Sequence, residues 1–476
     1  GGSHWNLVNT DKPSINYTTG GDLELSTDSD GNVTGAKSLV GAWGGPYVEH
    51  RLSSLFARVS YNYDERYMLQ ATVRRDGSSR FGTNNRYGTF PSVSVGWNIM
   101  NESFMQDYRN WLNNLKLRAS WGKNGIDNLE AFAYTTLTSL GGSSNYYYGQ
   151  TAAMMYGSKA NRLANEDLKW EESEQTDIGL DFGFWNNKLT FSVDYYIKKT
   201  NGMIIDMPIP SYVGESSPLA NVGDMKNYGW EFELGYKWNI ADANFAVKGN
   251  ASYLKNKLNN LGNDTGFLNY GISQFSDGGT RAENGQPFPF FYGYKTDGIF
   301  QNVAEVQAYT NKEGGLIMPN ANPGDFRFVD VNGDGKITSD DRTNIGNGVP
   351  DWTFGFNLDA EWRGFDLSLF FQGVSGADVF DATYRQDVAS GNYPTWVLQR
   401  WTGEGTSNKV PTLGDSKNWV VSDMYIQDGS YLRLKNITLG YTLPRSVTNK
   451  IGISRFRVFA RAENLITWTK YWGFDP

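Results

Sequence analysis

Apolar and polar residues alternate with a period of two along about twelve segments of this chain, each roughly ten residues long. In residues 53–63, for example, Val59 and Tyr61 alternate with Arg58 and Ser60. Successive side chains of a strand point to opposite faces, so each segment has one apolar face and one polar face. The pattern therefore predicts an all-β protein built from amphipathic strands.

Short and long connections alternate between the predicted strands. Asp64-Glu65 and Arg363-Gly364 are short enough for tight antiparallel hairpins, whereas the longest connection covers residues 257–351. Residues 101–114 are an exception among the short connections, because they are long enough for a helical turn or two. The predicted strands are residues 53–63, 66–76, 90–100, 115–124, 172–184, 189–199, 228–238, 245–256, 352–362, 365–375, 430–441 and 455–464.

Charged residues run along the polar face of the strands, while aromatic residues border a wide apolar face. So many apolar faces cannot all be buried against one another while their opposite faces stay charged, which argues against a soluble β-protein. A barrel with lipid outside and water inside accommodates both faces. The aromatic residues expected at the membrane interfaces are Trp97, Trp121, Trp230, Tyr236, Trp238, Trp362 and Tyr441. The charged residues expected to line the interior are Arg58, Arg74, Arg118, Glu231, Glu233, Lys237, Asp359 and Glu361.

The alternation breaks within residues 430–441. Leu434 has one phase of the pattern and Ile437 has the other. One extra residue near Lys435-Asn436 restores the register, which predicts a β-bulge there. A strand that starts slightly elsewhere is the alternative.

Composition and charge narrow the class of protein further. The chain has 476 residues, a formal charge of -8 and no cysteine, and it is 15% aromatic. No stretch of apolar residues is long enough for a membrane helix, but a spanning strand needs only about 9–11 alternating residues. The absence of cysteine fits an oxidising bacterial envelope. The mild acidity, without a basic stripe, argues against a nucleic-acid partner.

Six runs of residues resemble the SusC/RagA family of TonB-dependent outer-membrane transporters, and they occur in the order of that family. The first of them contains the sequence DGSSRF and the last YLRLKNITLGY. The resemblance extends from about residue 53 to the end of the chain. The six runs are residues 71–81, 90–97, 115–122, 227–231, 323–328 and 430–441.

The resemblance implies a transmembrane antiparallel β-barrel of about 22 strands, of which this chain covers roughly the last twelve but one. Residues 1–52 would then be an extracellular loop segment that precedes the first complete strand, and residues 53–476 the C-terminal part of the barrel. Neither terminus has the sequence of a natural start or end, so we expect the chain to be an internal part of a longer protein. The plug domain and the closing strand of the barrel would then lie outside it. A complete protein with a trimmed tag is the alternative.

The same resemblance implies a multi-pass protein of the bacterial outer membrane that imports nutrient oligomers. A SusD-like surface lipoprotein would cover the long extracellular loops as a lid, and TonB–ExbB–ExbD would supply energy through the plug. Oligosaccharides are the first expectation for the cargo and oligopeptides the second. A siderophore or cobalamin receptor, or a soluble glycan-binding adhesin, are the alternatives.

Residues 330–341 have the spacing of an EF-hand-type calcium loop. Oxygen-bearing side chains occupy loop positions 1, 3 and 5, glycine occupies position 6, and a carboxylate occupies position 12. Position 12 is Asp rather than Glu, so its bidentate reach is shorter. An acidic turn without an ion is the alternative. The ligands predicted for Ca²⁺ are Asp330, Asn332, Asp334, Lys336 through its carbonyl, and Asp341.

Aromatic residues on the predicted outer loops are candidates for stacking on sugars or holding apolar peptide side chains, although loop packing or contact with a lid protein would also explain them. No catalytic constellation is found, because His4 and His50 are the only histidines and both precede the barrel. We therefore expect no enzyme. The candidate substrate-binding residues are Tyr146, Tyr147, Tyr148, Tyr393, Trp396, Trp401 and Trp419.

Overall fold

Twelve strands form one continuous antiparallel sheet in which every strand pairs with its neighbours along the chain. In this computed structural model the described residues are 23–27, 29, 33–38, 50–136, 138–140, 146–148, 153–155, 158–160, 162–207, 209–272, 274–383, 392–414 and 416–473. The strands are β1 (Leu52–Tyr63), β2 (Tyr67–Ser78), β3 (Tyr87–Asn98), β4 (Leu112–Ile126), β5 (Glu171–Phe184), β6 (Leu189–Asp206), β7 (Leu219–Ile240), β8 (Ala243–Asn260), β9 (Trp352–Trp362), β10 (Phe365–Ser375), β11 (Tyr431–Thr442) and β12 (Arg457–Thr469).

All twelve predicted strands are confirmed, and β9 and β10 have the predicted bounds. The middle strands are longer than predicted: β7 has 22 residues, and β6 and β8 have 18 each. Their extra residues lie at the end of the sheet that carries the long connections. Alternation fades there while backbone pairing continues, for example between Asp206 and Leu219, so the pattern of side chains alone ends the strands too early.

Tight turns close the hairpins at the opposite end of the sheet. Asp64 and Glu65 both have φ of 52°, and Arg363 has φ of 46° before Gly364 at 92°. Positive φ at two consecutive turn residues lets a tight hairpin turn match the twist of its strands. The connection after β3 contains short helical turns at Ile99–Asn101 and Ser103–Tyr108, as predicted.

The predicted β-bulge in β11 is confirmed. Along β10, Phe370 pairs with Asn436 and the next residue, Phe371, pairs with Leu434. Lys435 is therefore an extra residue of β11 relative to β10. Because of it, the leucines before the bulge and the apolar residues after it share one face of the sheet.

The register places most apolar residues of the twelve strands on one face of the sheet, and this face is exposed. On β1, Leu55 is 76% exposed and Val59 is 67% exposed. One row of directly paired residues across the sheet illustrates the continuity of this face. It runs through Tyr61, Leu69, Val95, Ala119, Ile178, Tyr195, Trp230, Tyr253 and Trp352.

Two bands of aromatic residues border this apolar face. Near the tight turns, the rings of Tyr67 and Trp97 lie 6.4 Å apart between centroids. Toward the long loops, Tyr195 and Trp230 lie 4.8 Å apart. Trp230 and Trp238 of β7 belong to opposite bands and are about 26 Å apart along the strand, at about 3.3 Å per residue. This spacing matches an apolar band about 25 Å tall.

Shorter elements fill the long connections. None of the helices in the described parts of the chain is long and apolar enough to cross a membrane. Short strands lie at Leu23–Thr27, Val33–Ser38, Thr138–Leu140, Tyr146–Tyr148, Ala153–Met155, Ser158–Ala160, Phe267–Ile272, Phe275–Glu283, Phe290–Gly293, Thr296–Ile299, Phe326–Phe328, Thr343–Gly346, Asp378–Phe380 and Ile426–Asp428. The α-helices are Val303–Ala308 and Arg445–Thr448, and 3-10 turns occur at Ser211–Val213, Ser339–Asp341, Thr395–Gln399, Ser416–Asn418, Asp423–Tyr425 and Asn449–Ile451.

Candidate functional site

The loop between β8 and β9 and the loop between β10 and β11 fold together as one unit. The hydroxyl of Thr296 donates a 2.7 Å hydrogen bond to Asp423. Asn418, which is buried, accepts from the backbone of Phe326 and donates to Asp325, each at 2.9 Å. Residues more than ninety positions apart in sequence are thus joined by buried hydrogen bonds, so this loop pair is a structured surface.

Two of the candidate tryptophans support the interior of this loop pair. Trp419 is buried beside Val397 and Tyr425. Trp401 donates a 3.3 Å hydrogen bond to Gln301, and its ring lies against Gly324.

Gly324 has φ of +95°, and a β-carbon there would lie 2.6 Å from the ring of Trp401. The glycine is therefore required both by the backbone conformation and by the close approach of the ring. This packing gives a structural reason for the glycine in the run 323–328.

The other aromatic candidates lie in different surroundings. Tyr393 is 62% exposed. Trp396 is half-buried and meets Trp472 edge-on, with ring centroids 6.5 Å apart and an angle of 65° between the planes. Trp472 was not among the predicted candidates. The backbone of Tyr146–Tyr148 pairs with Ala153–Met155, but the side chains of these three tyrosines lie outside the described residues. A substrate-binding role for these residues stays a prediction.

Trp396 and Trp472 line a cavity of about 610 Å³ at the outer ends of β10, β11 and β12. Asp428 on its wall accepts a hydrogen bond from Ser430, which together with nearby Lys470 lowers the pKa of its carboxyl. The wall is otherwise formed by Thr296, Phe326, Asp381, Asn408, Lys409, Val410, Asp423, Met424 and Gln427.

The predicted calcium loop folds around its first carboxylate. Asp330 accepts hydrogen bonds from the backbone of Gly333 at 2.7 Å and of Gly335 at 2.8 Å. Asp334 accepts from the backbone of Lys336 at 2.9 Å. Such side chain-to-backbone bonds fix a tight acidic turn.

The last carboxylate of the loop, on Asp341, is fully buried. It accepts from the backbone of Val331 at 2.9 Å and of Thr338 at 2.7 Å. Among the described residues, no three Asp, Glu or His side chains are grouped closely enough to hold a metal. The loop is thus held by its own N–H groups, and the predicted Ca²⁺ site stays a prediction.

One histidine lies beside a serine and an aspartate without forming a catalytic triad. His50 Nε2 is 3.1 Å from Asp127 and 3.3 Å from Ser78 Oγ. Ser78 donates directly to Asp127 at 2.7 Å and is fully buried. A triad needs the serine on one ring nitrogen and the acid on the other. Here both meet one nitrogen, so the cluster ties the chain before β1 to the outer loops.

The DGSSRF run, residues 76–81, lies in the outer loops next to β2 to β5, and its phenylalanine belongs to their hydrophobic core. Phe81 is fully buried, with its ring 5.1 Å from that of Trp170 between centroids. Arg80 donates a 2.8 Å hydrogen bond to the backbone of Asp127. The run thus holds the loop after β2 against the loop between β4 and β5. These contacts give Arg80 and Phe81 a structural role that does not involve a ligand.

On the polar face of the sheet, charged residues pair across neighbouring strands. The guanidinium of Arg118 binds Asp181 with bonds of 2.8 and 2.9 Å and reaches Asp194 at 3.1 Å. These three residues belong to β4, β5 and β6. Arg118, predicted to line the interior, therefore holds adjacent strands together.

Comparison with known proteins agrees with this architecture. Residues 2–465 match the family model described as TonB dependent receptor-like, beta-barrel. TonB-dependent receptor P3 of Formosa agariphila is 36% identical over 435 residues, which are 90% of this chain and 42% of that protein. TonB-dependent receptor SusC of Bacteroides thetaiotaomicron is 31% identical, again over 90% of this chain and 42% of that protein.

Among solved structures, the RagAB peptide transporter superimposes with a TM-score of 0.74 at 30% identity, covering 90% of this chain and 45% of that chain. This chain therefore spans less than half the length of these relatives. The continuous sheet of amphipathic strands, its aromatic bands and these similarities agree with one another. The chain belongs to the TonB-dependent receptor β-barrel family of the bacterial outer membrane, and it is of the SusC/RagA type.

Proposed function

We propose that this chain is part of the barrel of an outer-membrane importer of nutrient oligomers, which is driven through TonB and works with a SusD-like surface lipoprotein. The similarity to RagAB carries the proposal, because a TM-score of 0.74 over 90% of the chain includes the structured outer loops as well as the strands. The structured loop pair would offer a fixed surface for cargo and for the lipoprotein lid.

Oligosaccharides are the cargo class that we favour. The outer loops carry tryptophan rings next to carboxylate and amide side chains on one cavity wall, and this combination suits ligands with apolar ring faces and many hydroxyl groups. Oligopeptides are the second candidate, because RagAB is described as a peptide transporter.

Uptake by living cells tests the proposal. The gene for the full-length protein is deleted, and uptake of fluorescent oligosaccharides and of fluorescent oligopeptides is compared in deletion and complemented strains. We expect one class of oligomer to lose uptake on deletion and to regain it on complementation. A complementing copy without its TonB-contacting segment serves as the control and should not restore uptake. Unchanged uptake of both classes in the deletion strain would refute the importer role.

The lipoprotein partner is tested separately by purification. Full-length protein is extracted from the outer membrane under mild detergent and its co-purifying proteins are identified. We expect one lipoprotein in a fixed ratio to the barrel. Recovery of the barrel alone from cells that actively import its cargo would contradict the partnership.

We also propose that residues 330–341 bind Ca²⁺ and so stiffen the loop between β8 and β9. The oxygen spacing of the loop supports this, together with the compact turn around Asp330. Binding would redirect carboxylate oxygens that now accept backbone N–H groups. Limited proteolysis of the full-length protein with calcium or with chelator should show calcium-dependent protection that Asp330→Ala abolishes and Glu313→Ala, an exposed change nearby, preserves. Equal cleavage under both conditions would remove the idea.

A further inference from the structure

The cavity beside Trp396 and Trp472 has the size of a small-ligand site. Its volume of about 610 Å³ lies within the usual range of roughly 300–1,000 Å³ for such pockets. It is built from three separate parts of the chain: the loop between β8 and β9, the loop between β10 and β11, and the residues that follow β12. Their convergence is a property of the fold that no single sequence motif encodes.

The two indole rings supply flat apolar surface to this cavity. Trp472 is 50% exposed, while Trp396 is half-buried and packs against the cluster around Trp419. The edge-on arrangement of the rings places two aromatic surfaces at a steep angle. A ligand ring with a C–H face can pack on one of them and be held from the side by the other.

The polar groups of the wall have unused capacity to accept hydrogen bonds. Asp381, which is buried, accepts from Thr383 N and Oγ1 and from Gln427 Nε2. A carboxylate can accept about four hydrogen bonds, so one position remains. The wall can therefore accept a hydrogen bond from a ligand through Asp381.

The wall carries charges of both signs, so a ligand with a strong charge of either sign meets repulsion from part of it. Asp381, Asp423 and Asp428 would repel an anionic ligand, whereas Lys409 and Lys470 would repel a cationic one. A neutral ligand with many hydroxyl donors meets neither penalty.

We propose that this cavity binds one neutral sugar unit of an oligosaccharide. The indole of Trp472 packs on the sugar ring, and the carboxylate of Asp381 accepts a hydrogen bond from one of its hydroxyl groups. This inference rests on the proposed function, since it names the class of cargo and the residues that hold it.

Binding measurements on the purified full-length protein with its co-purifying lipoprotein test the inference. The probes are maltohexaose, cellohexaose, mannohexaose and xylohexaose as neutral glycans, oligogalacturonate as an anionic glycan, and a mixture of tryptic peptides. We expect a neutral glycan to bind and Trp472→Ala to weaken it about tenfold or more, a loss equal to about 1.4 kcal/mol. Tyr212→Ala, an exposed aromatic change on another outer loop, should leave that affinity unchanged.

A second variant separates the ligand classes. Lys470→Gln removes an exposed charge from the wall and should change the affinity for a neutral glycan by no more than about twofold, whereas it would weaken an anionic glycan strongly. Binding of oligogalacturonate alone, of peptides alone, or of none of the six probes would overturn the inference, as would a neutral glycan whose affinity Trp472→Ala does not change. The importer role is judged separately by gene-dependent uptake, so either proposal can fail alone.

Discussion

The phenol of Tyr67, at the start of β2, donates a 2.6 Å hydrogen bond to Glu102. The same carboxylate accepts from Trp97 Nε1 at 3.0 Å and is approached by Arg66 at 3.4 Å. Glu102 lies in the helical connection after β3 and is buried. It therefore joins that connection to two rings of the aromatic band near the tight turns, and fixes the rings where the membrane interface would hold them.

These hydrogen bonds around Glu102, which we call the Glu102 clamp, should make the stability of the barrel fall at acidic pH. The hydrogen bond from Tyr67, with those from Trp97 and Arg66, lowers the pKa of Glu102 below its ordinary value of 4.5. The stabilisation is therefore present above that ordinary value and is lost as the pH falls through the lower pKa of the folded state. Thermal unfolding of the purified full-length protein from about pH 7 to about pH 3 should show this loss.

The variant Glu102→Gln should unfold at a lower temperature at neutral pH and should lose less stability on acidification than the parent protein. Glu65→Gln changes an exposed carboxylate on the neighbouring turn and serves as the control. If the unfolding temperatures of both variants change with pH as those of the parent protein do, the clamp does not stabilise the barrel.

Two adjacent residues of β7 test which face of the sheet meets lipid. Leu234 lies on the exposed apolar face, whereas Glu233 lies on the polar face. Arginine near the middle of the lipid-facing side of a barrel costs about 2–4 kcal/mol, and no such penalty applies toward a watery interior. Leu234→Arg should therefore reduce assembly of the full-length protein in the outer membrane, and Glu233→Arg should not. Heat-modifiable migration on gels measures the folded fraction. A larger folded fraction for Leu234→Arg than for Glu233→Arg would mean that the polar face, and not the apolar face, meets lipid.

A cavity in the hydrophobic core around the DGSSRF run should destabilise the loop between β2 and β3. Phe81→Ala removes a fully buried ring that packs on Trp170, and substitutions of this kind cost about 3–5 kcal/mol. We expect faster hydrogen exchange in the loop between β2 and β3 while the strands stay protected. Phe132→Ala changes a ring of the same size that is 57% exposed and should alter exchange little. Equal protection of the loop in both variants would contradict this account of the motif.

The sheet could be predicted from the sequence, because lipid on one face and water on the other impose an alternation of apolar and polar residues on every strand. Strand ends were predicted less well, since the outer parts of β6 and β7 are held by backbone pairing after the alternation fades. The clamp at Glu102 could not be predicted from spacing, because its partners on β2 and β3 meet only through strand register. Trp472 was missed for a similar reason: it lies in a different part of the chain from Trp396, and only the fold of the outer loops brings the two rings together.

The β-bulge at Lys435 gives a test in which a deletion should be tolerated. Without Lys435, Leu434 and Ile437 would alternate regularly, so the apolar residues before and after the deletion would stay on one face. Deleting Ser368 from the regular strand β10 would instead turn part of that strand over and direct charged or polar side chains such as Asp366 toward lipid. The full-length protein without Lys435 should therefore still reach the outer membrane in a folded, heat-modifiable form, while the protein without Ser368 should not. If both deletions prevent folding equally, the bulge has a role in assembly beyond restoring the register of the two faces.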